Sequence, residues 1–198
     1  MDSQVTLVTS TPPISLVFAT DSIINTTLQL NSRAAYTIST KLEGTTTEIR
    51  ASGSGELVAR ICRNGILPYT VAFPSSNEKK DIRLSKWLRP YKLDSVSLAH
   101  RIETELGNCV LKVHPTYRLA LFLESDFDTP IAHWARSEES SQLLLVLCSG
   151  TEKFVPQIIA AFTIQELKMR NEEKTDRVAQ FKAAAPSQAV KAVVGVGR

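Results

Sequence analysis

Phe154-Val-Pro-Gln-Ile-Ile-Ala-Ala-Phe-Thr-Ile-Gln-Glu-Leu167 is apolar in almost every direction when wound as a helix. Phe154, Val155, Ile158, Ile159, Ala160, Ala161, Phe162, Ile164 and Leu167 go nearly all the way round its axis. A helix without a polar face is buried on every side. Thr151 stands at the capping position, and Pro156 falls in the first turn, where a missing N–H is tolerated. The predicted helix runs from Thr151 to about Asn171. Charges return at Glu166, Lys168 and Arg170. The uncharged run Phe154 to Gln165 is too short to cross a bilayer, which needs about 20 residues.

Everything upstream reads as short strands. Ile14–Ala19, Asn25–Leu30, Ala35–Thr40 and Thr45–Arg50 are rich in Thr, Ile, Val and Tyr. Asn-Ser, Glu-Gly and Gly-Ser-Gly separate them, as expected of antiparallel strands joined by tight turns. Glu56–Arg63 and Ile66–Phe73 flank Asn64-Gly65, a strong hairpin signal, while Pro68 points to an edge or a bulge. Asp81–Leu84 is a further strand, ending in the apolar plug Trp87-Leu88. His100–Thr104 and Cys109–His114 are read as a hairpin, although Ser95–Leu106 fits a helical face about as well. Arg118–Leu123, Ile131–Arg136 and Leu143–Cys148 follow. Leu143–Leu147 is apolar at every position, which predicts cover on both faces.

These elements predict a mainly β chain. About 10–12 antiparallel strands close into a barrel, and the buried C-terminal helix fills the lumen such a barrel leaves. Residues 1–13, ending in Thr11-Pro12-Pro13, form an arm; residues 14–170 form the barrel domain; residues 171–198 form a charged, Ala-rich tail, flexible or helical, whose first part can continue the helix. The 198 residues suit one domain with a tail. The formal net charge of +3 is too small to argue for nucleic acid, so no nucleic-acid partner is expected. Met1-Asp2-Ser3-Gln4 carries an acid where a secretory signal wants a base. Cys62, Cys109 and Cys148 are odd in number and lack CxxC spacing, as expected of reduced thiols in a cytoplasmic protein.

Several phrases, taken in their order, resemble the tubby C-terminal-like superfamily of tubby proteins, phospholipid scramblases and LURP-one-related proteins. They are Asn25-Thr-Thr-Leu28, Tyr36-Thr-Ile-Ser-Thr40, Thr46-Thr-Glu-Ile-Arg50, Ile131-Ala-His-Trp134 and Phe154…Phe162-Thr-Ile-Gln-Glu-Leu167. Within that superfamily the likeness is to a family of small basidiomycete fungal domains, over about residues 14–170. That family often carries a Gly-x-x-Tyr-x-Trp-like phrase in a middle hairpin. Gly107-Asn-Cys-Val-Leu-Lys112 has neither aromatic, so a site lined by that hairpin is altered here.

Motifs for chemistry are missing. Gly53-Ser54-Gly55 lacks the strand–turn–helix context of a nucleophile elbow, and the chain holds no phosphate loop and no GxGxxG. His100, His114 and His133 have no neighbouring His or Cys at ligand spacing, so neither metal nor cofactor is expected. One acid–base cluster is conceivable: His100 and His114 facing each other across their hairpin, with Glu103 or Glu105 beside them. The stronger signal is basic. Lys79, Lys80, Arg83, Lys86, Arg89 and Lys92 crowd together, interleaved with Trp87 and Tyr91. Lys79, Lys80, Lys86, Arg89 and Lys92 lie in or near loops that can converge with Trp87 on one barrel rim, which suits an anionic phospholipid headgroup or another polyanion. Tubby proteins hold phosphoinositide on basic residues, so the resemblance implies the same ligand class, although the positions do not match one by one.

The functional expectation is a non-catalytic binding module, cytoplasmic or peripheral at a membrane. The alternatives are a motif-less enzyme of cyclase or isomerase type, using an apolar pocket with a His/Glu acid–base pair, and a protein-interaction module acting through the tail. Oligomeric state is not legible.

Overall fold

The computed structural model describes residues 12–41, 43–63, 69–74, 81–93 and 98–184. Its strands are β1 (Ile14–Phe18), β2 (Thr26–Leu30), β3 (Arg33–Thr40), β4 (Thr46–Ala51), β5 (Leu57–Cys62), β6 (Thr70–Ala72) and β7 (Ile82–Arg83). A one-turn helix, α1 (Leu84–Trp87), leads to β8 (Arg89–Lys92). Then come β9 (Leu98–Thr104), β10 (Gly107–His114), β11 (Arg118–Leu123), β12 (Asp126–Arg136) and β13 (Leu143–Leu147). A 3-10 turn, Glu152–Phe154, opens into α2 (Val155–Ala184). The Asn64-Gly65 turn, Pro68 and residues 75–80 of the polar loop lie outside the described residues.

All thirteen strands form one sheet, in the order β7-β6-β5-β4-β3-β2-β1-β13-β12-β11-β10-β9-β8. The ladders are antiparallel, as the turn-separated runs predict. At Asn31-Ser32 both residues have positive φ (49° and 63°), the backbone a two-residue hairpin needs to match strand twist. The first strand pairs with the last: Ile14 lies opposite Leu147 and Leu16 opposite Leu145.

The closed barrel predicted from the sequence is not what forms. Among the described residues the sheet has two edges, β7 and β8, and no ladder joins them. They are consecutive in the chain, and α1 crosses between them, in contact with β6, β7, β8 and β9. Closure fails for a physical reason. β7 is only two residues long and passes directly into a helical turn, so it has too little extended backbone to pair on its second side.

The expectation of a buried helix holds for its first half. Phe154, Ile158, Ile159, Ala160, Ala161 and Phe162 are at most 2% exposed. The described strands form one sheet with no second layer among them, so a helix covered all round means that the sheet curls about it. Cross-strand partners share a face, which identifies the concave one: Leu111, Leu119, Leu121, Ala132, Trp134, Leu145, Leu147 and Leu16 are all buried. Trp134 ties sheet to helix, its ring edge-on to Phe162 (5.2 Å) and to Phe18 (5.2 Å).

Two further expectations are corrected. Leu143–Leu147 alternates: Leu143, Leu145 and Leu147 are buried, Leu144 and Val146 only partly, so one face of that strand is fully covered rather than two. Glu166 does not mark a return to solvent. It is 2% exposed, and Arg118 Nε donates to both its oxygens at 3.1 and 2.9 Å. The chain divides into two units, Met1–Glu166 and Leu167–Arg198. The sheet and the buried half of the helix belong to the first; in the second, residues 171–180 are exposed.

Candidate functional site

The seam between β7 and β8 carries the densest set of predicted site residues. Arg89 opens β8 and lies directly opposite Arg101 of β9. Cross-strand partners project from the same face, so both arginine side chains leave the sheet on one side. Glu103 is two residues beyond Arg101 and shares that face. Its carboxylate takes the Arg89 Nη1 at 2.9 Å, and Glu124 takes the Arg101 Nη1 at 3.6 Å. The Arg89–Glu103 pair is solvent-exposed and worth little as stability, while Arg101 and Glu124 are half-buried. They do fix where the guanidinium groups sit.

α1 supplies the other wall. The Lys86 carbonyl accepts the Arg89 Nε–H at 2.9 Å, which pins the start of β8 against the helical turn. Lys86 is exposed and makes no ion pair with a described residue. Trp87 is half-buried, its ring tilted against Phe73 with centroids 5.1 Å apart. Ile82, Lys86, Trp87, Arg89, Arg101 and Glu103 line a cavity of about 360 Å3. Three cations against one acid, beside an aromatic floor, suit a ligand that is negatively charged and partly apolar.

The structure therefore brings together Lys86, Trp87 and Arg89 of the predicted basic set. Lys92 stands apart, exposed at the far end of β8 opposite Leu98. Lys79 and Lys80 lie outside the described residues. Arg101 is the member that sequence reasoning misses. It sits in a strand of its own, away from the basic run, and only the β8–β9 register delivers it.

The conceivable acid–base cluster does not assemble. His100 lies opposite Leu111 on the buried concave face, whereas His114 lies opposite Arg118, three positions further along β10 and on the other face. Glu103 joins Arg89 at the seam, and Glu105 approaches Lys153 at 3.8 Å. His114 instead stacks on Tyr117 (4.8 Å), and Tyr117 packs against His133 (4.2 Å). The His114 Nδ1 accepts the backbone N–H groups of Thr116 and Tyr117. Burial, and after it the charge of His114, pushes His133 below the usual histidine range. Burial raises the Cys109 and Cys148 thiols, so neither is an activated nucleophile. Among the described residues, no group of three or more His, Cys, Asp and Glu is placed to hold a metal ion. Nor is any described helix long and apolar enough to cross a membrane.

The model of a family of unknown function, DUF6593, matches residues 21–171. No curated protein matches the chain. Among solved structures, the X-ray structure of a protein from Arabidopsis thaliana is similar at 12% identity, covering 78% of this chain and 91% of that one with a TM-score of 0.46.

Proposed function

The chain belongs to the family of unknown function DUF6593, and on that premise we propose that it is a non-catalytic binding module that takes an anionic lipid headgroup at the β7–β8 seam. The convergence of Lys86, Arg89 and Arg101 on one cavity with Trp87 carries the reading. A phosphate bonded by two guanidinium groups and an ammonium is a strong charge-assisted arrangement. Trp87 is the amphipathic side chain that an interface favours. The module is peripheral: basic side chains near an anionic surface gain about 1 kcal/mol each.

The likeness to tubby-like proteins belongs to the same proposal. A run of antiparallel strands ending in a buried C-terminal helix supports it; the unpaired seam is a departure from a closed barrel.

Co-sedimentation with vesicles tests the function. Wild-type chain is expected to bind phosphatidylcholine vesicles containing anionic lipid and to leave pure phosphatidylcholine unbound. Replacing Lys86 and Arg101 together by Gln is expected to weaken binding about tenfold or more, at two screened charges. Lys92→Gln, outside the cavity, is expected to change it by less than about threefold. Equal binding to neutral and anionic vesicles overturns the proposal.

A further inference from the structure

A second cavity, of about 290 Å3, lies at the opposite place in the sheet. β1 is the middle strand of the thirteen, as far as possible from both edges. Ile14 and Leu16 of β1 and Leu147 of β13 form one wall of this cavity, and Val155, at the start of α2, forms another. Tyr36 closes a third side. It lies opposite both Leu28 and Ala51, and Leu28 is fully buried, so Tyr36 points to the concave face. Glu152, in the 3-10 turn that leads into the helix, stands at the rim.

The cavity opens to solvent: Leu16, Leu147 and Val155 are buried, whereas Ile14, Leu30, Ala35, Tyr36 and Ala51 are partly exposed. Ala51, directly opposite Tyr36, puts a small side chain at this wall. A dry apolar cavity of about 150 Å3 accepts benzene, so one about twice that size takes a body of about eight to ten carbons. Among the described lining residues, two carry polar side chains, Tyr36 and Glu152. Glu152 makes no ion pair with a described residue, and it is the one charged residue among the described lining. Burial pushes Tyr36 above the usual phenol range, so its hydroxyl stays neutral and offers an oxygen that accepts.

We infer that this cavity binds a small apolar amine, its hydrocarbon body against Leu16, Leu147 and Val155 and its ammonium group donating to Glu152 and the Tyr36 hydroxyl. The site is independent of the seam: it differs in strands, in charge and in ligand class.

Calorimetric titration of the full chain with n-octylamine, n-octanol and octanoate at neutral pH tests it, below the concentration at which the probes self-associate. Saturable 1:1 binding is expected for the amine, about tenfold tighter than octanoate, with octanol between. Glu152→Gln is expected to bring amine and octanol level. Ala51→Leu fills the void and is expected to weaken all three about tenfold or more, with native circular dichroism retained. If Ala51→Leu does not fold, Ala35→Leu at the same wall replaces it. Octanoate binding as tightly as octylamine, or amine binding unchanged in the filled variant, overturns the inference. The Lys86/Arg101 double variant is expected to keep amine binding intact, which separates this result from that of the vesicle experiment.

Discussion

Arg118 shows how much one side chain can hold. Its backbone is left-handed (φ 61°), a conformation that disfavours any residue but glycine. Its Nε grips a carboxylate that is almost wholly buried in the helix. Truncating it therefore removes a charge-assisted pair and leaves the strained backbone in place. Arg118→Ala is expected to destabilise by about 2 kcal/mol, within the usual range for hydrogen bonds to charged groups. Arg118→Gly is expected to be milder by up to about 1 kcal/mol, because glycine relieves the strain. Urea midpoints of the two variants check the order. None of this is legible in sequence: Glu166 reads as the first residue back in water, and nothing near it announces a partner 48 positions upstream. His133 gives a second test. Its folded value lies below that of the unfolded chain, so the folded state resists its protonation. Stability is expected to be full above about pH 6.5 and to fall as pH drops toward the lowered folded value. His133→Gln is expected to flatten that slope. Asp126 acts in a separate, lower window. Backbone N–H groups of Asp128 and Thr129 hold its carboxyl below the usual range, so its contribution is lost only in acid.

At the scale of an element, α2 is two helices in one. Phe162 is fully buried and abuts Trp134, while Val178, in the same helix, is 45% exposed. Phe162→Ala is expected to cost about 3–5 kcal/mol, the usual penalty for a deleted core aromatic. Val178→Ala is expected to stay within about 0.5 kcal/mol, as surface changes do. Thermal or urea unfolding of both variants checks the contrast. The first half of α2 is legible in sequence because all-round apolarity demands all-round cover. Its end is only half legible: the sequence runs the helix to about Asn171 and leaves the tail beyond it flexible or helical, and the helix continues to Ala184 on Glu, Lys, Arg, Gln and Ala, which favour helix without needing cover. Thr151 is also a partial success. It sits at the start of the 3-10 turn, but its hydroxyl donates back to the Cys148 carbonyl at 2.7 Å rather than capping the helix. Most strand positions are legible to within a residue or two, since alternation and turn residues fix them locally. Arg101 at the seam is not, because membership of the site depends on which strands become neighbours.

For the whole molecule, the open seam predicts an uneven distribution of stability. β7 has two residues and β8 has four, each with one side unpaired among the described residues, whereas β1 and β13 are paired on both sides. Amide hydrogen exchange is expected to be fastest at Ile82–Arg83 and Arg89–Lys92 and slowest along Leu16–Phe18 and Leu145–Leu147. Uniform protection across the seam would count against an open edge there. The sequence predicts closure because many short strands and a filling helix are what a barrel needs. Whether the two ends of the sheet pair is settled by a few residues around Leu84, whose helical turn no periodicity announces.

The pairing of β1 with β13 has a consequence for how the chain is made. Strands β2–β7 can fold onto β1 as a meander soon after they leave the ribosome, and so can β8–β13 among themselves. Until Leu147 emerges, however, β1 presents a naked row of N–H and C=O groups to any other nascent chain. A chain stopped before Leu143 is expected to self-associate on size-exclusion chromatography. The hazard in this architecture therefore belongs to the minute of synthesis, and it ends when the last strand slides in beside the first.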